Sequence, residues 1–480
     1  MADSKLLDSL RAVVGAAGMI TNDSELLVYE CDGFTIERNK PKVVVFPNDT
    51  AQVSRIVRIC HEAKIPFLPR GAGTSLAGGC LPIGGGVVIS LARMKRIWEV
   101  DTRNRYALVD PGLVNVWLTN HLKSTGWHFA PDPSSQGACT IGGNIATNSG
   151  GPHTLKYGVT VNHILGVEMV MPDGEIVNMG GPVEDAPGYD LTGVTVGSEG
   201  TFGVACRSWV RLTRNPQGYR TLLGVFENVD DTAAAISEII AAGIVPAALE
   251  MLDSLILRAV EEAFGFGFPL DAGAVLIMEV DGIDAGLDAE AARIEEIAKR
   301  NKAREVRRAD TDAQRLLLWK CRKQAFGAVG RLAPSYCTQD GVVPRTRLPE
   351  MLRKIASIGQ KYELKIANVF HAGDGNLHPI LLFDERHPDQ VKKVLDASNE
   401  ILDACLAMGG SVTGEHGIGV EKIDFMPKLF SPVDLGMFMR LRKAFNPGGY
   451  CSPGKMLPTS GACHEPSHVH QHKPARRAAL

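Results

Sequence analysis

Pro69-Arg70-Gly71-Ala72-Gly73-Thr74-Ser75-Leu76-Ala77-Gly78-Gly79 is the stretch on which the fold turns. A glycine-rich turn exposes successive backbone N–H groups, and such a nest suits a pyrophosphate. It is not a Walker A loop: Gly73 and Gly78 have that spacing, but Gly79 and Cys80 stand where Lys and Ser/Thr belong. It is not a Rossmann fingerprint either, because Leu76 occupies the place of the third glycine. Alone, the loop fits phosphate binding and a plain surface turn equally well.

Two further clusters shift that balance. Pro131-Asp132-Pro133-Ser134-Ser135 leads to Thr140-Ile141-Gly142-Gly143-Asn144-Ile145-Ala146-Thr147-Asn148-Ser149-Gly150-Gly151, and Val196-Gly197-Ser198-Glu199-Gly200-Thr201-Phe202-Gly203-Val204 follows. Both are poor in large side chains and build no core of their own. Small residues with amide and hydroxyl tips suit the surround of a large planar polar cofactor. Three such clusters within about 130 residues imply one extended ligand.

Outward from these clusters, a chain of 480 residues calls for two or three domains. Its 45% hydrophobic and 22% charged content is that of a soluble globular protein. A net charge of -3 gives no electrostatic case for nucleic acid or an anionic membrane. None of the 10 cysteines forms a Cys-x-x-Cys pair, which argues against a zinc ribbon, a thioredoxin-type site or an iron–sulfur cluster in this chain. The amino end, Lys5-Leu6-Leu7-Asp8-Ser9-Leu10-Arg11, reads as an amphipathic helix rather than a secretory signal. No charge-free run of about 18 apolar residues is present, so no transmembrane span is expected. These features point to a cytoplasmic protein with reduced thiols, with a peripheral place at the inner membrane face as the alternative.

The elements alternate around the first loop. Lys42-Val43-Val44-Val45-Phe46 reads as a buried strand, Thr50 as the cap of a helix over 51–63, and residues 66–69 and 87–91 as further strands. Pro172-Asp173-Gly174 separates two strands as a hairpin. Near Pro216 the pattern changes to strands at 221–226 and 274–280, each followed by a helix, which predicts an α+β domain with an antiparallel sheet. The segment 459–480 has no periodicity and reads as a disordered tail.

The three glycine clusters, in this order and spacing, resemble the FAD domain of the vanillyl-alcohol-oxidase type flavoproteins. The resemblance implies an FAD-binding domain of PCMH type over 1–216 and a substrate or cap domain over 217–400. A C-terminal segment over 401–458 would return to the flavin. It places Arg70, Gly71, Ala72, Gly73, Thr74 and Ser75 around the FAD pyrophosphate. Pro131, Ser134, Thr140, Gly143, Asn144 and Ala146 would lie further along the cofactor, and Glu199, Gly200 and Val204 would complete its site. Some relatives attach FAD covalently through a histidine; His153 lies nearby but is not taken as an attachment point.

Val369-Phe370-His371-Ala372-Gly373-Asp374-Gly375-Asn376-Leu377-His378-Pro379 is the second informative stretch. A two-residue type I′ turn at Asp374-Gly375 sets His371 directly opposite His378, close enough for both imidazoles to reach one metal ion. Two ordinary polar hairpin histidines are the alternative on these residues alone. Further on, Gly414-Glu415-His416-Gly417-Ile418-Gly419 places a carboxylate beside an imidazole. Both stretches resemble the D-2-hydroxy-acid dehydrogenase branch of the same group, close to the glycolate oxidase catalytic subunit. That resemblance implies His371, His378 and Glu415 as metal ligands and His416 as the catalytic base. Two histidines and a carboxylate with open positions suit Zn²⁺ best, with Mn²⁺ or Fe²⁺ as alternatives.

Within the same resemblance, Arg322 of Trp319-Lys320-Cys321-Arg322 would meet the substrate carboxylate, Asn446 would touch the isoalloxazine, and Lys455 would hold the closing segment. The implied reaction is oxidation of glycolate or D-lactate. Ile380 and Thr338 stand where relatives acting on D-2-hydroxyglutarate tend to carry Asn and Lys, which favours a monocarboxylate. Electrons would pass to oxygen, a quinone, a soluble carrier, or partner chains comprising a second flavin subunit and an iron–sulfur subunit. Competing readings are D-2-hydroxyglutarate oxidation, a relative of alkyl-glycerone-phosphate synthase, a flavin-free metallohydrolase, and a non-catalytic flavin-binding subunit.

Overall fold

The three apolar valines of strand Val43–Val45 are inaccessible to solvent on both faces, as expected of a parallel strand covered from two sides. In the computed structural model, which describes residues 2–185 and 187–458, this strand lies in a four-stranded sheet. Its order is Met19–Ile20, Val43–Val45, Val87–Ser90, Phe67–Arg70, and the last three strands run parallel. Val43 and Val45 pack towards helices Ala2–Val14 and Thr50–Ala63, while Val44 packs with Leu68 and Val88 on the other face. Asp49, not Thr50, caps the second of these helices: its carboxylate accepts from the Gln52 N–H. Thr50 instead donates its hydroxyl to Glu168 at 2.6 Å, tying the helix to the neighbouring sheet.

That neighbour is a five-stranded antiparallel sheet ordered Ile97–Asp101, Tyr106–Val109, Val204–Arg211, Ile164–Val170, Ile176–Gly180. The expected hairpin around Asp173-Gly174 joins its last two strands. Beyond Arg214 the chain enters a third sheet at Gly218. Its central strands, Gly218–Phe226, Ala274–Gly282, Ala248–Asp253 and Lys365–His371, are antiparallel, with residues alternating between two cores. Leu222, Met251, Met278 and Phe370 face helices Val229–Ala241, Asp284–Arg300, Leu348–Tyr362 and Pro388–Ala407. Leu223, Leu252, Ile277 and Val369 face Ser254–Phe264 and Asp312–Val329. The architecture is α+β.

After helix Pro432–Phe445 the chain returns to the first sheet. Phe67 donates its N–H to Tyr450 O, and Ser452 N–H donates to Phe67 O. The tail read as disordered lies outside the described residues.

The histidine hairpin departs from expectation. His371 pairs with Asn376, not His378, and the same register continues through Asn368↔Pro379 and Ala367↔Ile380. The loop therefore spans 372–375. Of Asp374 and Gly375 only the glycine has positive φ, +75°, whereas a type I′ turn needs both. Tertiary contact explains the wider loop: Val343 N–H donates to Gly375 O. The register has moved by two residues, so His371 and His378 still share a face but stand diagonally.

Candidate active site

A cavity runs between the glycine clusters on one side and Lys323, Phe326, Tyr336, Glu415 and His416 on the other. Arg70, Gly71, Ala72, Gly73, Thr74, Ser75, Ser134, Thr140, Gly143, Asn144, Ala146, Glu199 and Gly200 all line it. The second cluster is not a loop but a short helix, Ile141–Thr147, whose cap Thr140 accepts from the Gly143 N–H. Gly73 holds φ +74°, and a Cβ there would lie 2.2 Å from the Arg70 guanidinium. That guanidinium donates to Cys31 O and Cys80 O, which braces the loop from behind.

The expected contacts are not all made. Pro131 lies two residues before the stretch that meets the cavity, and Pro133 lines it instead. Val204 opens strand Val204–Arg211 and points into the core, so its neighbours Gly203 and Ala205 line the cavity. Asn446 is buried behind the wall, donating to Thr201 O and Cys451 O. His153, not expected to attach the cofactor, stands off the cavity, with Nδ1 2.9 Å from Asp132 Oδ2. Lys455 is buried and donates to Gly79 O, linking the closing segment to the first glycine cluster.

At the far end, His371, His378 and Glu415 present ligand atoms all within 4.8 Å of one another. Glu415 Oε1 is 3.2 Å from His371 Nε2 and 3.1 Å from His378 Nε2, while its Oε2 is buried without a partner. The His416 ring stacks on His378 at 5.0 Å between centroids. Asp340, His378 and His416 likewise present ligand atoms within 4.8 Å of one another.

Buried carboxylates that the sequence reading did not single out govern this end. Glu250, wholly inaccessible, places Oε1 2.7 Å from His371 Nδ1 and also accepts from Arg322 Nε. A carboxylate behind Nδ1 fixes that proton and leaves Nε2 as the donor atom for a cation. Burial alone would lower the His371 pKa, but Glu250 and Glu415 outweigh it and raise it to about 10. Burial would raise Glu415, yet the two imidazoles hold it well below the ordinary carboxylate range. For His416 burial prevails over the opposing pull of Asp340 and lowers the pKa to about 4.

Arg322 does not line the cavity. It lies fully buried behind His371, with one terminal nitrogen 3.4 Å from Nδ1 and the other, Nη1, without a protein partner. Its neighbour Lys323 lines the cavity and stands 3.7 Å from Asp132. Ile380 packs in the core with Ala367 and Val369, and Thr338 lies off the cavity wall. Neither side chain is placed to select a substrate by direct contact.

Residues 41–180 match the family described as FAD binding domain, and residues 215–456 match FAD linked oxidases, C-terminal domain. The chain is 42% identical to the glycolate oxidase subunit GlcD of Escherichia coli (strain K12) over 98% of its own length and 94% of the relative's. The chain belongs to the FAD-linked oxidases. It is also 31% identical to the mitochondrial D-lactate dehydrogenase [cytochrome] of Arabidopsis thaliana, over 88% of this chain and 74% of that one. Its fold is similar to that of 4-ethylphenol oxidase from Gulosibacter chungangensis, with a TM-score of 0.79, 19% identity, and 95% and 97% of the two chains covered.

The cavity fits the cofactor of an FAD-linked oxidase. Among the described residues, the backbone N–H groups of Gly71, Ala72, Gly73, Thr74 and Ser75 meet no protein acceptor, and the buried Ser75 hydroxyl has no partner. Those free donors are what a pyrophosphate needs. The histidine end fits a divalent cation on its own terms: two imidazole nitrogens and a carboxylate converge, one carboxylate oxygen is unpaired, and a fixed proton lies behind one ring. No helix of the described residues is long and apolar enough to cross a membrane.

Proposed function

We propose that this FAD-linked oxidase oxidises a small D-2-hydroxy acid, glycolate or D-lactate, to the 2-oxo acid. When bound, FAD supplies the hydride acceptor at N5, and a divalent ion, Zn²⁺ before Mn²⁺ or Fe²⁺, supplies a Lewis acid for the hydroxyl and carboxylate. The observation that carries the reading is the meeting of Glu415 and His416 with the glycine-lined cavity, with His371 and His378 directly behind. In this reading His371, His378 and Glu415 hold the ion. His416, neutral at pH 7 because burial depresses its pKa to about 4, accepts the hydroxyl proton. The ammonium of Lys323, which lines the cavity, supplies positive charge for the substrate carboxylate, while Arg322 stays behind His371 with Glu250. The names of two relatives, a glycolate oxidase subunit and a D-lactate dehydrogenase, support the same substrate class. The word subunit supports work alongside partner chains, with a second flavin subunit and an iron–sulfur protein as the expected route for electrons.

The test is the visible spectrum of purified protein under anaerobic conditions, before and after D-lactate or glycolate. The flavin bands should bleach with either acid, at least about tenfold faster than with D-2-hydroxyglutarate, a difference of about 1.4 kcal/mol in barrier. Chelation of divalent metal should abolish the bleaching while the flavin stays bound. An oxidised spectrum with both acids would sink the substrate assignment, and bleaching that survives chelation would sink the metal.

A further inference from the structure

The loop 413–419 carries Glu415 and His416 in no regular element, and glycines stand at 414, 417 and 419. Its order comes from two buried carboxylates on opposite sides. Asp340 Oδ2 accepts from the Thr413 hydroxyl at 2.6 Å and from the backbone N–H groups of Gly414, Glu415 and His416 at 3.0, 3.1 and 2.8 Å. Successive N–H groups of this kind form a nest whose usual occupant is an anion. Here the anion is a side chain from the edge of the third sheet. On the other flank Glu199, from the third glycine cluster, accepts from Ile418 N–H and Gly419 N–H, both at 2.7 Å. Between them Gly417 has φ +85°, and a Cβ there would fall 2.7 Å from Glu199 Oε1.

We propose that Asp340 and Glu199 are positioning residues for the oxidation: from the two halves of the molecule they clamp the backbone of 414–419, and so aim Glu415 and His416. The assignment of roles to those two side chains rests on the function proposed above; the clamp itself does not. Asp340 does not line the cavity and comes no nearer to His378 Nδ1 than 3.9 Å. Glu199 lines the cavity, yet spends both carboxylate oxygens on the loop. Neither carboxylate is therefore placed to act on substrate directly. Each acts through the backbone, where a displacement of about 1 Å is enough to cost on the order of 100-fold in rate.

The experiment compares Asp340→Asn and Glu199→Gln with wild-type holoprotein by amide hydrogen exchange, flavin content and the limiting rate of flavin reduction. In Asp340→Asn, exchange at 414–416 should accelerate while 418–419 and strand Ala274–Gly282 keep their protection. In Glu199→Gln the acceleration should move to 418–419. The limiting rate per bound flavin should fall about 10- to 100-fold in each, as for outer partners of ligating side chains, with flavin content unchanged in Asp340→Asn, whose side chain does not line the cavity. Unchanged exchange at 414–416 in Asp340→Asn, or equal acceleration in Ala274–Gly282, overturns the clamp, the second outcome marking a merely structural role. If Asp340→Asn does not fold, Thr413→Val removes one bond to the same oxygen, along with the bond from Gly417 N–H to the Thr413 hydroxyl, and should speed exchange at 414–416 as well as at 417; no change at 414–416 is equally fatal. A wild-type flavin that neither acid reduces would refute the function and leave the exchange result to decide the clamp.

Discussion

The two ends of the cavity are built by opposite means. At the glycine end the reactive surface is backbone: free N–H groups, a short helix and side chains too small to intrude. At the histidine end it is side chain, and the side chains are aimed from behind, by Glu250 at His371 and by Asp340 beneath the loop of Glu415 and His416. A backbone site needs only that no Cβ enters it. A side-chain site needs a second layer, and damage to that layer is felt at the first.

The largest expected effect on cofactor retention comes from putting a side chain into the backbone end. Gly73→Val sets a β-branched residue at φ +74°, with its Cβ 2.2 Å from the Arg70 guanidinium. A left-handed conformation costs an L residue about 1–2 kcal/mol before any clash is counted. FAD retained on purification should fall about tenfold or more, each 1.4 kcal/mol being a factor of ten in affinity. Full flavin occupancy would break the comparison, because the cradle would then not depend on bare backbone. At the other end His416→Asn should leave the flavin in place and slow its reduction by glycolate or D-lactate about 10²–10⁴-fold, the range for loss of a general base. Loss of flavin in that variant would show that the two ends are not separable.

The same contrast explains what was legible in the sequence. Glycine clusters are local signals, so three stretches led to one cavity wall. The errors there are also local: Val204 is off by one residue because strand neighbours face opposite ways, and Pro131 precedes the turn that reaches the cavity. The histidine end depends on contacts far apart in the chain, 121 residues for Glu250 with His371 and 76 for Asp340 with His416. No spacing rule spans that distance. One signal was available, for Glu250 sits inside the fully buried strand Ala248–Asp253, and an acid in such a strand requires a buried partner. The hairpin register failed for a similar reason: Asp374-Gly375 favours a tight turn locally, but the contact with Val343 holds a wider one.

The smallest effect tests the seam between the two regions. His153 Nδ1 lies 2.9 Å from Asp132, in the second glycine cluster, and Nε2 lies 3.6 Å from Glu279, in the third sheet. Burial would lower its pKa, but Asp132 and then Glu279 outweigh burial and raise it to about 10. The folded value exceeds the ordinary 6.5, so the charged ring contributes its full stability below pH 6.5 and loses it as pH rises through about 10. Between those limits the wild-type melting temperature should drop more than that of His153→Gln, by on the order of 5 °C, read from flavin release on heating. Parallel curves would mean that no proton on His153 joins the regions. The seam would then rest on neutral hydrogen bonds and on the pairs that bypass this ring, such as Tyr157 donating to Asp281 at 2.6 Å.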